Sequence, residues 1–509
     1  MSNQSVPLVS GRLDPIAASL AQHLIGPRLD RELKHLTEHI EVDRAHTVML
    51  CEQGILTQEQ AASIVIALRE AVALGDAFPV DPEFDSLLLQ VERFLEERVG
   101  NDSAGRMHTG RSRIDQNAAK ARIIARDGLV ELYSAVVAFM ETLVSLAERH
   151  VATVMPGWTH LQHAQPWTLG HYLLRHAFVM HRYARRMEEC YSRVNMSSLG
   201  GAALAGTSWP LDRVRVAELL GHDDIVVNSH DAGEFTLDWG MELAALYSTL
   251  MVDVGRLAGD LYLWHSWEFG LIEVADGFCG TSSIMPQKKN AVALEYIRAE
   301  AGNATGWIVA VMGVARSASS TDCDPAYASS VVPQAASVCA SSLALMNEVM
   351  STMTVNEERM RERASANWST ASALADGMVE RYGIPFRAAH QAVARLVKQC
   401  VSDGVSPAAV TAAMVSKATA SIAGEPIEPE VEWVVSHLDP TSFIETRVTA
   451  GGPQRESVLG QIATMCTHLK DHVEWLGMVR SRIARASEEL RRSEERLISQ
   501  AHGGSWKPK

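Results

Sequence analysis

The sequence predicts an all-α protein built around a long central helix bundle, and three observations carry that reading. No proline occurs between Pro82 and Pro156, between Pro166 and Pro210, or between Pro210 and Pro286. A proline inside a helix costs about 3 kcal/mol, so these gaps are where long helices fit. Apolar residues also recur at helical spacing: Leu132, Val136, Phe139, Leu143 and Leu146 in one stretch, and Leu243, Leu246, Leu250, Val254, Leu257, Leu261 and Trp264 in another. Each row puts an apolar stripe on one helix face, to be buried against neighbours. Strand signals are few, with no series of alternating β-branched segments joined by Asn-Gly or Asp-Gly turns.

Taken in order, residues 1–112 read as an N-terminal domain of shorter helices, among them Asp43–Gln53 and Thr57–Leu74. The second of these opens on Thr57-Gln58-Glu59-Gln60, a capping box in its glutamine form. Residues 113–365 carry the long helices of a central bundle domain. Gly128, Gly255 and Gly259 lie in or beside its stripes; glycine weakens a helix there but lets a neighbouring helix come close. Residues 366–480 return to shorter helices broken by proline and glycine, a C-terminal helical domain. Residues 481–509 read as a charged tail, with Ser487, Glu488, Glu489 and Arg491 on a solvated helix that serves as surface or oligomer contact.

Composition bounds the function. Hydrophobic residues make up 47% of the 509 positions and charged residues 21%, a globular balance that excludes a mostly disordered chain. Lys plus Arg number 46 against 61 Asp plus Glu, a formal charge of −15. So acidic a surface argues against nucleic-acid or anionic-membrane partners but leaves room for a local cationic pocket. Met1–Arg12 lacks the basic start and apolar run of a signal peptide. The longest uncharged, largely apolar stretch, Trp307–Ala315, is too short to span a bilayer. The seven cysteines, at 51, 190, 279, 323, 339, 400 and 466, form no Cys-x-x-Cys pair. They read as buried free thiols of a cytoplasmic protein, with neither a zinc site nor a disulfide framework.

Three polar, glycine-containing segments interrupt the helical pattern. His108-Thr109-Gly110-Arg111-Ser112-Arg113-Ile114-Asp115-Gln116 puts two arginines and a serine where a long helix begins. That makes an anion site from guanidinium forks and free N–H groups, or equally an N-capped helix with solvated arginines. Met155-Pro156-Gly157-Trp158-Thr159-His160-Leu161-Gln162-His163-Ala164-Gln165-Pro166 holds a histidine beside a threonine between prolines, suited to carboxylate binding or proton transfer; alone, a satisfied loop histidine explains it as well. Cys279-Gly280-Thr281-Ser282-Ser283-Ile284-Met285-Pro286-Gln287-Lys288-Lys289-Asn290 describes a mobile loop of small residues ending in positive charge, with Glu295 on the following helix. It lacks the Gly-x-Ser-x-Gly context of a hydrolase nucleophile, and a plain surface loop is the alternative.

Together these segments resemble the three signature regions of the fumarase/aspartase superfamily, most closely its argininosuccinate lyase branch. Gly201-Ala202-Ala203-Leu204-Ala205-Gly206-Thr207 and Gly383-Ile384-Pro385-Phe386-Arg387-Ala388-Ala389-His390 are similar to further segments of that branch, and the likeness spans roughly residues 30–470. The resemblance implies a three-domain helical subunit in a homotetramer, each active site built from three subunits, with a small dicarboxylate as substrate and no metal or organic cofactor. It implies anti β-elimination from an N-substituted aspartate with release of fumarate, or the reverse amine addition. On this resemblance Ser282 is the base, and Lys288 and Asn290, with Ser283, hold the carboxylate that takes up charge. Thr159 and His160 hold a substrate carboxylate or support proton transfer, His160 being a catalytic residue oriented by Glu295; Gln162 binds substrate, and Ser112 and Arg113 fix the other end.

Departures bear on the substrate. Ile114 stands where the branch has asparagine, and Ala291-Val292 follows Asn290 in place of Pro-Asp. Gly280-Thr281 stands where the branch has Thr-Gly. Ser319-Ser320-Thr321-Asp322-Cys323-Asp324 replaces a segment that helps recognise arginine, and His39–Asp43 and Asp85–Leu88 also differ. The fumarate-handling half is thus retained and the arginine-handling half altered. The expected substrate is an N-substituted aspartate that need not be argininosuccinate. An ordinary argininosuccinate lyase is the second reading and a catalytically silent structural or partner-binding homologue the third.

Overall fold

The structure, a computed structural model, describes residues 16–234, 237–316 and 323–501. Its main helices are α1 (Leu36–Glu52), α2 (Gln58–Leu74), α3 (Leu87–Arg106), α4 (Arg113–Arg149), α5 (Leu169–Val194), α6 (Asp238–His265), α7 (Val292–Ala315), α8 (Cys323–Thr352), α9 (Ala371–Tyr382), α10 (Phe386–Asp403), α11 (Ala412–Ala423) and α12 (Arg455–Ala501). Sheet among the described residues is limited to two-residue strands paired two by two in the connections between helices. The all-α expectation is met.

Helices α4 to α8 pack on one another as a bundle, and both apolar stripes read from the sequence are buried in its core. On α6, Gly255 meets α7 so closely that a Cβ there would lie 2.5 Å from that of Ala301, whereas Gly259 has no neighbour within 4 Å. Close approach therefore explains the first glycine only. By length and composition α4 could cross a membrane, which the Trp307–Ala315 stretch did not disclose; 61% of its apolar window is buried inside the bundle, so it is the core helix of this domain.

Helices α1, α2 and α3 enclose a second cluster that includes Ile40, Leu50, Leu68 and Phe94. The capping box of α2 is formed: Thr57 N–H donates to Gln60 Oε1 at 3.1 Å and Gln60 N–H to Thr57 Oγ1 at 3.2 Å. Helix α1 begins at Leu36, ahead of the expected Asp43. Its first turns bury Leu36, Ile40 and Val42, and with them the polar His39 and Asp43, which masked the stripe in the sequence. A third cluster, with Leu374, Met378, Leu396 and Trp433, lies among α9, α10, α11 and the short helix Val431–Leu438.

The charged tail needs correction. Helix α12 continues without a break past residue 480 to Ala501. Leu490 and Leu497 join the N-terminal cluster. Glu494 is fully buried, with Arg44 Nε 2.5 Å from one carboxylate oxygen and Arg69 Nη2 2.5 Å from the other. The tail's outer face is charged as expected, but a hidden apolar stripe pins it to α1 and α2. Among the described residues Cys190, Cys339 and Cys400 are buried free thiols, while Cys51, Cys279 and Cys466 are half-buried.

Several histidines are buried in the neutral form. His176 Nε2 accepts from Arg175 at 3.1 Å, and burial, then Arg175, pulls its pKa from 6.5 down to about 3. His39, His46 and His222 are pushed well below the ordinary value, first by burial. Their contribution to stability is complete above the unfolded pKa and drains away as pH falls below it toward the folded value. For His176, protonation in the unfolded chain makes pH 5 cost about 2 kcal/mol of stability relative to pH 7. Urea unfolding at fixed protein concentration is expected to show a steep loss of stability between these pH values. His176→Gln is expected to remove one group's share of that slope; a flat profile in the parent protein contradicts the assignment.

Candidate active site

The signature segments occupy the ends of the bundle. Ser112 is the N-cap of α4, and its N–H donates to Asp115 Oδ1 at 2.8 Å. Arg113 Nη1 lies 2.6 Å from Asp85 Oδ2, and Arg28 Nη2 lies 2.7 Å from the other oxygen. Burial raises the Asp85 carboxyl, but Arg28 and Arg113 outweigh it and hold the pKa below the usual value. Arg111 turns inward. Its fully buried guanidinium lies 2.6 Å from Asp43 Oδ1, which also accepts from Gln116 Nε2 at 2.6 Å. Of the two arginines in the segment, only Arg113 reaches the surface. Ile114 packs half-buried against the bundle core.

The second segment is a hairpin, Trp158-Thr159 against Gln162-His163, turning through His160 (φ 55°) and Leu161 (φ 58°). Left-handed backbone at both central residues defines the tight turn that usually takes Asn-Gly. Two side-chain-bearing residues there are strained, a feature that concentrates at functional sites. Gly157 permits the return of the chain, since a Cβ would lie 2.3 Å from the Gln165 carbonyl oxygen. Trp158 anchors the hairpin on the end of α6, its ring centroid 6.0 Å from those of Trp264 and Phe269. Thr159, His160 and Gln162 stand exposed at the tip.

The third segment is also a hairpin, with Gly280 opposite Asn290 and Thr281 opposite Lys289. Ser282 opens its loop, and Ser282 Oγ accepts from the N–H groups of Met285 at 3.0 Å and Ile284 at 3.3 Å. The two lysines divide. Lys289 Nζ is held 2.6 Å from Asp276 and 2.9 Å from Glu273, and the hydrogen bond to Asp276 leads in pushing its pKa up to about 12. Lys288 is exposed and has no charged partner among the described residues. Glu295, in the first turn of α7, accepts from Tyr262 Oη at 2.9 Å. Among the described residues its hydrogen-bond partner is thus Tyr262, not His160.

Ser282, Ser283, Lys288 and Asn290 therefore share one loop, and Thr159, His160 and Gln162 share another. Ser112 and Arg113 are far from both. At 1.5 Å per residue the 37 residues of α4 span about 55 Å between the first segment and the second. Helix α6 starts near Arg122, whose guanidinium lies 5.3 Å from the Trp239 ring, and runs 28 residues, about 42 Å, to the two hairpins. One chain does not bring all three segments together. Sequence reasoning missed Asp115, Tyr262 and Asp85 as partners of the site. Asp115 lay inside a segment singled out, whereas nothing in the sequence links Tyr262 to Glu295 or Asp85 to Arg28. Residues 319–322 of the altered arginine-recognition segment lie outside the described residues.

A helical bundle with a serine-bearing hairpin and a His-Thr hairpin at one end, and an arginine-bearing helix start at the other, defines a fumarase/aspartase-type lyase subunit. Residues 28–306 match the family described as Lyase, and residues 368–445 match the argininosuccinate lyase C-terminal family. The chain belongs to the argininosuccinate lyase branch of the fumarase/aspartase superfamily. It is 36% identical to argininosuccinate lyase of Methanothermobacter thermautotrophicus over 82% of this chain and 90% of that one. It is also 36% identical to argininosuccinate lyase of Methanosarcina acetivorans, over 89% and 91%. Among solved structures it is similar to an EDDS lyase variant with bound fumarate, with TM-score 0.84 and 33% identity over 92% of this chain and 93% of that one. A 3-carboxy-cis,cis-muconate lactonizing enzyme from Pseudomonas putida, 17% identical over 89% and 99% with TM-score 0.67, shares the fold.

Proposed function

We propose that Ser282 is the base of this site and that the amine part of the substrate differs from arginine. The reaction is a β-elimination at a carbon–nitrogen bond of an N-substituted aspartate, with fumarate released. Its hard step is removing a weakly acidic proton from the carbon next to a carboxylate. The electrons left behind are tolerable only when spread onto that carboxylate, so positive charge and donors must be in place before the proton leaves. Lys288 and Asn290, with Ser283, supply them. As the C–N bond breaks, the electron pair passes to the departing amine.

The single observation that carries the role of Ser282 is its pair of backbone donors. Two N–H groups aimed at one hydroxyl oxygen favour its ionised form. A hydrogen bond to an ionised acceptor is worth about 1.5–3 kcal/mol, so two shift the ionisation by at most about 2–4 pK units. An alcohol needs more than that, and the Lys288 charge with closure of the loop over substrate provides the remainder. Thr159, His160 and Gln162 bind substrate, Glu295 orients the His160 of a neighbouring subunit, and Ser112 and Arg113 hold the amine end.

Superfamily members act on small dicarboxylates and are generally oligomeric. We place this chain in a cytoplasmic homotetramer with each site built from three subunits. Helix α7 supports that assembly: Tyr296, Val309 and Met312 are exposed, and a Cβ at Gly302, Gly306 or Gly313 would meet nothing within 4 Å. An apolar helix left so bare in the subunit is suited to burial by other copies.

A screen of amines with fumarate, read by loss of fumarate absorbance, tests the function. No signal with any amine, in either direction, favours the silent homologue. Identity to the argininosuccinate lyases supports the second reading, and Ile114 separates it from the first. Losing an amide that pairs with a substrate group costs much discrimination. Ile114→Asn is expected to raise kcat/KM on argininosuccinate by at least about tenfold. An unchanged rate removes Ile114 as the determinant of the amine.

A further inference from the structure

The geometry points to Asp115 as a positioning residue: we infer that its carboxylate joins the Ser112–Arg113 helix start to the Gly200–Ala202 turn, making that turn the companion wall of the amine end of the site. This rests on the lyase reading above. The Asp115 side chain is fully buried at the N-terminus of α4. One oxygen accepts from Ser112 N–H at 2.8 Å; the other accepts from Gly200 N–H at 3.0 Å and Ala202 N–H at 2.9 Å. A single acceptor group thus fixes two segments 85 residues apart in sequence.

The turn is held in a conformation it would not choose. Ala202 has φ 53°, and Gly200, with φ 89°, lies under Arg213. A Cβ on Gly201 would stand 2.8 Å from the backbone of Ser229 and Gly233. Such strain persists only where surroundings over-determine it, and here Asp115 supplies two of the bonds that do so. Beyond the clamp the chain turns outward, leaving Ala203, Leu204 and Ala205 exposed. An apolar tip carried on the turn that Asp115 ties to the Ser112–Arg113 helix start is placed to contact the substrate portion that varies among amines.

The charges facing Asp115 are Arg111 on its own segment and Arg213 across the turn. Burial pushes its carboxyl up to about 6 against the pull of the three N–H groups and Arg111. Protonation as pH falls through that value removes an acceptor, so the turn loosens in acid.

Hydrogen exchange and calorimetry on the full-length tetramer test this. In the parent protein the amides of residues 199–206 are expected to lose at least about tenfold of their protection between about pH 7.5 and pH 5, while those of the α4 core keep theirs. Asp115→Asn, which leaves one acceptor oxygen for three N–H donors and sets an NH2 against the rest, is expected to lower that protection and abolish its pH dependence; Asp115→Glu restores part of both. With Ser282→Ala as parent to block turnover, Asp115→Asn is expected to weaken argininosuccinate binding by at least about tenfold and fumarate binding by less than about twofold. Equal losses for both compounds, or a parent that binds fumarate but not argininosuccinate, overturn the wall as a contact for this amine part, and pH-independent protection of 199–206 overturns the joint. Binding of neither compound by the parent overturns the lyase reading and the wall with it, while the exchange result still decides whether Asp115 joins the two segments.

Discussion

Ser282→Ala is expected to lower kcat by about a hundredfold to ten-thousandfold, the range removed with a general base, while the tetramer and fumarate binding persist. The variant leaves the N–H groups of Met285 and Ile284 with no oxygen to bind. Both are on an exposed loop, so water satisfies them and folding is not at stake. Fumarate release at saturating substrate reads the effect, and size-exclusion chromatography reads the assembly. Full activity in the variant removes Ser282 from the mechanism. Lys289→Met serves as a contrast: Lys289 is already neutralised by Glu273 and Asp276, so its loss is expected to cost far less than that of Lys288.

The second large effect is a recovery. Arg113→Met and Ser282→Ala chains are each expected to form inactive tetramers, yet tetramers reassembled from an equal mixture are expected to regain about a quarter of parental activity. The reason is distance: these residues sit at opposite ends of a bundle about 42 Å or more in length, so any one site draws them from different chains. Half the chains carry an intact arginine and half an intact serine. Activity that stays at the level of the separate variants places both residues in one subunit's site and overturns the shared architecture.

The fold was legible wherever apolar residues repeat without interruption. The stripes of α4 and α6 contain little but core residues, so periodicity alone located both helices. It failed where polar groups share the buried face. His39 and Asp43 hid the first turns of α1, and Glu494, buried between two arginines from distant helices, made the end of α12 look solvated. The site was legible to the same extent and for a related reason. Each signature segment is local in sequence, so its members could be grouped; the pairing of Arg113 and Arg28 with Asp85 joins distant positions and leaves no local trace. Arg111 shows the converse, since adjacency to Arg113 suggested a shared task and the backbone points the two in opposite directions.

The last helix has a consequence for how the polypeptide matures. Arg44 and Arg69 emerge from the ribosome early, but the carboxylate that neutralises them belongs to Glu494. At translation rates of about 5–20 residues per second the intervening stretch takes tens of seconds to synthesise. Through that interval the amino-terminal unit carries two unmatched cations and an uncovered apolar groove. Synthesis of the helix that carries Glu494, rather than completion of the first hundred residues, therefore sets when this unit becomes finished, and a chaperone holding it until then would find its client surface along α1 and α2.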